Sequence, residues 1–121
     1  MIQEAKDLMD DRETETRRKA VEELKGLPAG RAIPLLIKAM EDMNWRVMKT
    51  AAMIIEEYPL ALCIKGLLGL LHLSNNAGAR NTAIEVLTKT GKESIPYLID
   101  AYGSRDADVR KSIVDIAGNI K

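Results

Sequence analysis

The sequence predicts an all-α fold: an α-solenoid, or superhelix, of stacked antiparallel helix pairs with a period of about 31 residues. Two observations carry it. An apolar segment recurs at a constant step of 31, opening at Ile2, Ile33, Ile64 and Ile95. A second apolar pattern fills the gaps, aligned on Ala20, Ala51, Ala83 and Ile113 at steps of 31, 32 and 30. Self-similarity at a fixed period of this length marks a repeat architecture, in which each unit buries its apolar face only against its neighbours.

In chain order, residues 1–10 form the first helix of the isoleucine series, termed B, from IQEAKDLM. This copy is the weakest, because Lys6 stands where later copies carry Ile37, Leu68 and Ile99. Three A/B pairs follow over 13–41, 44–73 and 76–103, and a final A helix spans 106–120. The 121 residues read as one domain of about eight helices. Within each B segment apolar residues stand at offsets 0, +3, +4, +6 and +7, as Ile33, Leu36, Ile37, Ala39 and Met40, and again as Ile64, Leu67, Leu68, Leu70 and Leu71. The A segments TRRKAVEEL, VMKTAAMII, ARNTAIEVL and VRKSIVDIA place theirs at i, i+4, i+5, i+7 and i+8. Both spacings draw one stripe along a helix, and no useful stretch alternates with the period of a strand.

Turn chemistry separates the two series: Gly26, Pro28 and Gly30, then Pro59, then Gly91. Asn44, Asn76 and Asp106 stand just ahead of A helices, where a side-chain oxygen can cap free backbone N–H groups. Pro34 and Pro96 are expected in the first turn of B helices, where a missing N–H costs nothing.

The composition suits such a stack. Hydrophobic residues make up 46% and charged residues 30%, while aromatics are only 3% with no Phe, so the core is aliphatic. Eighteen basic residues balance eighteen acidic ones, and no net field draws the molecule to nucleic acid or anionic lipid. Cys63 is the single cysteine, which excludes an internal disulfide framework. No apolar run reaches the ~20 residues of a membrane helix. The opening MIQEAKDLMDDRE carries acids where a secretion signal carries lysines and an apolar stretch, and the expected location is cytoplasmic.

The A helices with Val109–Arg110 and Ala79–Arg80 near their start, preceded by acids such as Asp106, resemble HEAT repeats, as does the Ile-Pro-x-Leu opening at Ile33 and Ile95. The resemblance is closest to the short bacterial and archaeal variant named after bilin lyases, and it covers essentially the whole chain. It is specific for architecture and nearly silent about activity. The step is shorter than the ~40–47 residues of longer HEAT and armadillo repeats. Tetratricopeptide repeats of ~34 residues and ankyrin repeats of ~33 carry signatures that this sequence lacks. The second copy departs from the pattern, with Met48 where the others have Arg17, Arg80 and Arg110.

No catalytic, cofactor-binding or metal-ligating residues are assigned. His72 is the only histidine, so the paired His and Glu ligands of a HEAT-repeat hydroxylase are missing. Catalytic triads and phosphate loops are absent too. Cys63 reads as a small packed residue and His72 as a helix-end residue. Arg17, Arg80 and Arg110 recur at one repeat position. They form either a basic ridge along a nucleic-acid backbone, as in HEAT-like DNA glycosylases, or structural pairs with acids such as Asp11, Asp42 or Asp106. Zero net charge favours the structural reading.

Two stripes stand out as candidate partner-binding surfaces. Outward positions of the B helices give Arg31, Leu35 and Lys38, then Leu62, Gly66, Gly69 and Leu73, then Glu93, Tyr97 and Asp100. Side by side they form a positive edge, an apolar shallow floor and a negative edge. The two helical glycines each cost about 1 kcal/mol relative to Ala, which the close approach of a partner would offset. The second stripe is Trp45, Lys49 and Met53 on an A helix, where Trp45 replaces Thr14, Ala77 and Ala107.

The leading functional expectation is a non-enzymatic protein-protein interaction scaffold, whose concave helical surface binds a helix or peptide of a protein partner. The alternatives are a nucleic-acid-binding, glycosylase-like module, which the charge balance disfavours, and an accessory to cofactor attachment, which the bilin-lyase resemblance implies. The final A helix carries Val109, Ile113, Val114, Ile116, Ala117 and Ile120, as apolar as an interior helix. A solenoid normally ends in a polar cap, so this helix is expected to be covered by a homo-oligomer mate or by further repeats.

Overall fold

A computed structural model describes residues 6–120 of the chain. Among the described residues the fold is all-helical, with no strand. Seven α-helices follow one another: α1 (Thr14–Glu22), α2 (Ala29–Ala39), α3 (Trp45–Ile55), α4 (Leu60–Leu70), α5 (Ala77–Thr90), α6 (Ile95–Ala101) and α7 (Ala107–Asn119). A 3-10 turn, Gly91–Ser94, leads into α6. Residues 6–8 are also helical, where the first B helix is expected; the earlier part of that expectation, with Ile2, lies outside the described residues.

The helices sort into two layers. The A helices α1, α3, α5 and α7 contact one another in chain order, and α2 packs beside α4 in the B layer. Each B helix also packs on the A helix that follows it: α2 on α3, α4 on α5 and α6 on α7. The core lies between the layers. Ile33, Leu36, Ala39 and Met40 of the first full B copy are buried, as are Ile64, Leu67, Leu70 and Leu71 of the next. From the A side Ala20, Val47, Ala51, Ile55, Ala83 and Leu87 close against them. This is an α-solenoid, in which the two apolar stripes read from the sequence become the two faces of one continuous core.

The expected caps form. Asn44 Oδ1 accepts from the Arg46 N–H at 2.9 Å, Asn76 Oδ1 from Ala79 at 2.9 Å, and Asp106 Oδ1 from Asp108 at 2.9 Å and Val109 at 3.3 Å. Gly26 (φ 82°) and Gly91 (φ 73°) adopt the left-handed backbone that only glycine takes without strain. Pro96 sits in the first turn of α6. Pro34 does not occupy the corresponding place in α2. That helix starts earlier, behind Pro28, whose carbonyl accepts from Arg31 and Ala32 at 3.0 Å, and Pro34 lies inside it. The missing N–H leaves the carbonyl one turn earlier, at Gly30, without its helical donor, and Gly30 is exposed to water.

At the end of the stack the apolar residues divide into a covered and an open set. Within α7, Val109, Ile113 and Ile116 are already buried by the chain itself, and Ile120 just after it is half-buried. The apolar surface left open consists of Val114 at 55% exposure, with Ile99 at 70% and Tyr102 at 51%. The physical reason is positional: Ile37, the equivalent of Ile99, packs against the next B helix at Gly66, and among the described residues no helix follows α7.

Candidate partner-binding surface

The outward side chains of the B layer come from α2, α4 and the turns around α6. Arg31 and Lys38 are exposed, and the Lys38 ammonium lies 3.8 Å from the Asp10 carboxylate. Leu62 is 56% exposed on α4, and no atom lies within 4 Å of where a Cβ on Gly69 would stand. Glu93 and Asp100 are exposed. Leu35, Leu73 and Tyr97 are only half-available, because each packs partly against the core.

Gly66 is not part of an open floor. A Cβ built there would lie 2.7 Å from Ile37 Cγ1 and 2.8 Å from Ile37 Cδ1. Its missing side chain is the space that Ile37 of α2 fills, so this glycine serves the contact between neighbouring B helices. Of the two glycines in α4, only Gly69 leaves room at the surface.

The second stripe is exposed along α3. Trp45 is 61% and Met53 67% exposed, and the Arg46 guanidinium sits 5.6 Å from the Trp45 ring centroid. Lys49 between them forms an ion pair with Glu85 of α5, which ties its charge to the neighbouring A helix. Met43, in the loop before α3, is also 99% exposed; sequence periodicity passed over it because it belongs to no helix.

The repeated arginines are structural, though not quite in the manner expected. Arg17 grips the Asp42 carboxylate, Nε to Oδ2 at 2.9 Å and Nη2 to Oδ1 at 3.2 Å, and also donates to the carbonyls of Asp11 at 2.9 Å and Arg12 at 3.0 Å. Among the described residues, Arg80 and Arg110 hold no acid. Arg80 donates to the Leu73 carbonyl, and Arg110 to the Ser104 carbonyl at 2.7 Å. The acceptors Asp11, Leu73 and Ser104 keep the repeat register, so each arginine clamps the carbonyl end of the preceding B segment, where a cation is favoured. Met48 makes no such clamp; its Sδ meets the Thr82 hydroxyl at 3.9 Å.

The remaining chemistry is packed. Cys63 is buried with Sγ 3.5 Å from the Pro59 carbonyl, and burial pushes its thiol pKa up, away from a reactive thiolate. His72 is exposed, with Nδ1 3.2 Å from the Leu68 carbonyl and Nε2 3.5 Å from Ser104 Oγ. Among the described residues no group of three or more His, Cys, Asp or Glu side chains could hold a metal ion. No described helix is long and apolar enough to cross a membrane.

A search of curated proteins finds no match to the chain. The family model for HEAT repeats matches residues 2–88. That match covers well over half of the 121 residues and ends inside α5, beyond which α6 and α7 continue the same alternation of layers. The chain belongs to the HEAT-repeat family.

Proposed function

We propose that this protein is a non-enzymatic scaffold that binds a helix or extended peptide of a protein partner across the outward side chains of its B helices. The observation that carries this reading is the charge order along that surface. Exposed Arg31 and Lys38 stand on α2, exposed Leu62 beside the open position at Gly69 on α4, and exposed Glu93 and Asp100 around α6. An apolar centre supplies affinity, while opposite charges at the two edges set orientation and association rate. The partner segment that fits is amphipathic, with acids at its Arg31 end and basic residues at its Asp100 end. HEAT-repeat proteins generally mediate protein–protein interaction, which supports the class of partner.

The test is selection of binding peptides from a library of amphipathic sequences, followed by titration of variants. Leu62→Glu and Gly69→Glu are expected to abolish binding with helicity unchanged, since both positions face open space. Exchanging Arg31 and Lys38 for Glu is expected to weaken it more at low salt than at high salt. Peptides that bind all of these variants as they bind the parent protein would move the site elsewhere, first to Trp45 and Met53. A gel shift with DNA or RNA at low salt that weakens steeply as salt rises would replace the reading with nucleic-acid binding.

A further inference from the structure

We propose that the end of the stack formed by α6 and α7 is a second docking face, which takes one amphipathic helix of a partner protein built on the pattern of this chain's own B helices. The evidence is a position-by-position comparison within the molecule. Ile37 and Leu68 are half-buried, and their equivalent Ile99 is 70% exposed. Met40 and Leu71 are 0% and 1% exposed, and their equivalent Tyr102 is 51% exposed. On the A side, Ala52 is 6% exposed and Ile84 half-buried, while their equivalent Val114 is 55% exposed. Between α6 and α7 these residues open a cavity of about 210 Å³ whose walls are almost wholly apolar, with Ile95, Leu98 and Ile113 behind them.

The chain itself shows what occupies such a place. At the first step of the B layer the helix lying beside Ile37 is α4, and it meets Ile37 with Gly66. The apolar positions of α4 are Ile64, Leu67, Leu68 and Leu71, so Gly66 stands at offset +2 of its stripe. A helix docking on Ile99 and Val114 by the same contact needs apolar residues at offsets 0, +3, +4 and +7 and a small residue at +2. Glycine there leaves room for Ile99 as Gly66 does for Ile37. The face repeats, two steps along the B layer, the side of α2 that α4 covers, and that contact sets the pattern of its occupant.

The test uses a peptide with the sequence of residues 59–73, with Ala61→Glu lactam-bridged to Lys65 on its solvent side and Cys63→Ser to prevent oxidation. Calorimetric titration is expected to show saturable binding to the full chain. Val114→Glu and Ile99→Glu in the protein are expected to weaken it by at least about tenfold, since each would bury a carboxylate in an apolar cavity. Gly66→Leu in the peptide is expected to do the same. Both protein changes are at exposed positions, and unchanged circular dichroism verifies their folding. Binding that is absent, or equal in parent and Val114→Glu protein, would overturn the proposal. So would sedimentation of the chain alone showing a dimer that Val114→Glu dissolves, because the face would then belong to a second copy. Leu62→Glu is expected to leave the peptide bound, which separates this face from the surface of the B helices.

Discussion

Arg17 and Asp42, separated by 25 residues in sequence, meet in a bidentate ion pair at 2.9 and 3.2 Å, with side-chain exposures of 17% and 13%. The same guanidinium holds two loop carbonyls, so the pair ties α1 to the turn between α2 and α3. Partial burial and the planar match of guanidinium to carboxylate set it apart from the exposed pairs Arg18–Glu15 and Lys25–Glu57. Arg17→Ala and Asp42→Ala are each expected to lower unfolding free energy by about 1–3 kcal/mol. Urea melts of the two single variants and the double variant check this. Strict additivity would show that the two side chains do not interact in solution.

The clamp at Arg80 is a cleaner probe of the repeat, because its acceptor is a backbone carbonyl with no carboxylate involved. Arg80→Met copies the natural residue Met48. It is expected to cost about 1–2 kcal/mol, the worth of a hydrogen bond to a charged donor. Hydrogen exchange is expected to rise in residues 70–76, at the end of α4 and the turn that follows, ahead of the rest of the chain. Uniform protection across the stack in the variant would remove the clamp's local role.

Gly66 and Ile37 form a second coupled pair. Gly66→Ala places a methyl within 2.8 Å of two Ile37 side-chain carbons, so Ile37 must change rotamer or α4 must move away from α2. The expected loss is about 1–3 kcal/mol, set by overpacking against any gain in helix propensity. Ile37→Ala in the same chain is expected to recover part of it. Thermal melts of the two single variants and the double variant decide this, and no recovery would place the strain elsewhere.

The alkaline limb of stability is expected to depend on Tyr58. Its hydroxyl donates to the Leu27 carbonyl at 2.6 Å, and burial followed by the nearby Glu57 charge raises its pKa above the ordinary value of 10.0. A pKa raised in the folded state means stability that is fully present below the unfolded value and is lost as pH rises through the folded one. Urea midpoints are therefore expected to fall above about pH 10. Tyr58→Phe is expected to be less stable at pH 7 by about 1 kcal/mol, the worth of one hydrogen bond, and to show a shallower alkaline fall. An identical alkaline slope in both proteins would assign the titration to another group, with Cys63 next, since its thiol is raised from 9.0 by burial.

Asp106 caps α7 through two backbone N–H groups. Asp106→Ala is expected to cost about 1 kcal/mol and to speed exchange in the first turn of α7, while Asp106→Asn retains most of the stability. Equal melting of all three proteins would show that the cap contributes nothing beyond what water supplies.

The repeat, its two helix series, the caps at Asn44, Asn76 and Asp106 and most of the core were legible in the sequence. Each follows from spacing along one helix or from a side chain bonding its own backbone, and such local terms are written residue by residue. Pro34 marks where that local reading stopped, because α2 starts five residues earlier, behind Pro28 at its N-cap. Contacts between helices were not legible. Nothing local distinguishes Gly66 from Gly69, yet α2 lies against one and solvent against the other. The three arginines share one repeat position, but only Arg17 finds a carboxylate, because only there does the following turn offer Asp42. Ile99 and Tyr102 sit at core offsets identical to those of Leu68 and Leu71, and differ from them only in what lies beside them. Burial is a property of neighbours rather than of a residue, so in a stack where each repeat covers the one before it, the tertiary structure alone decided which apolar residues remained open.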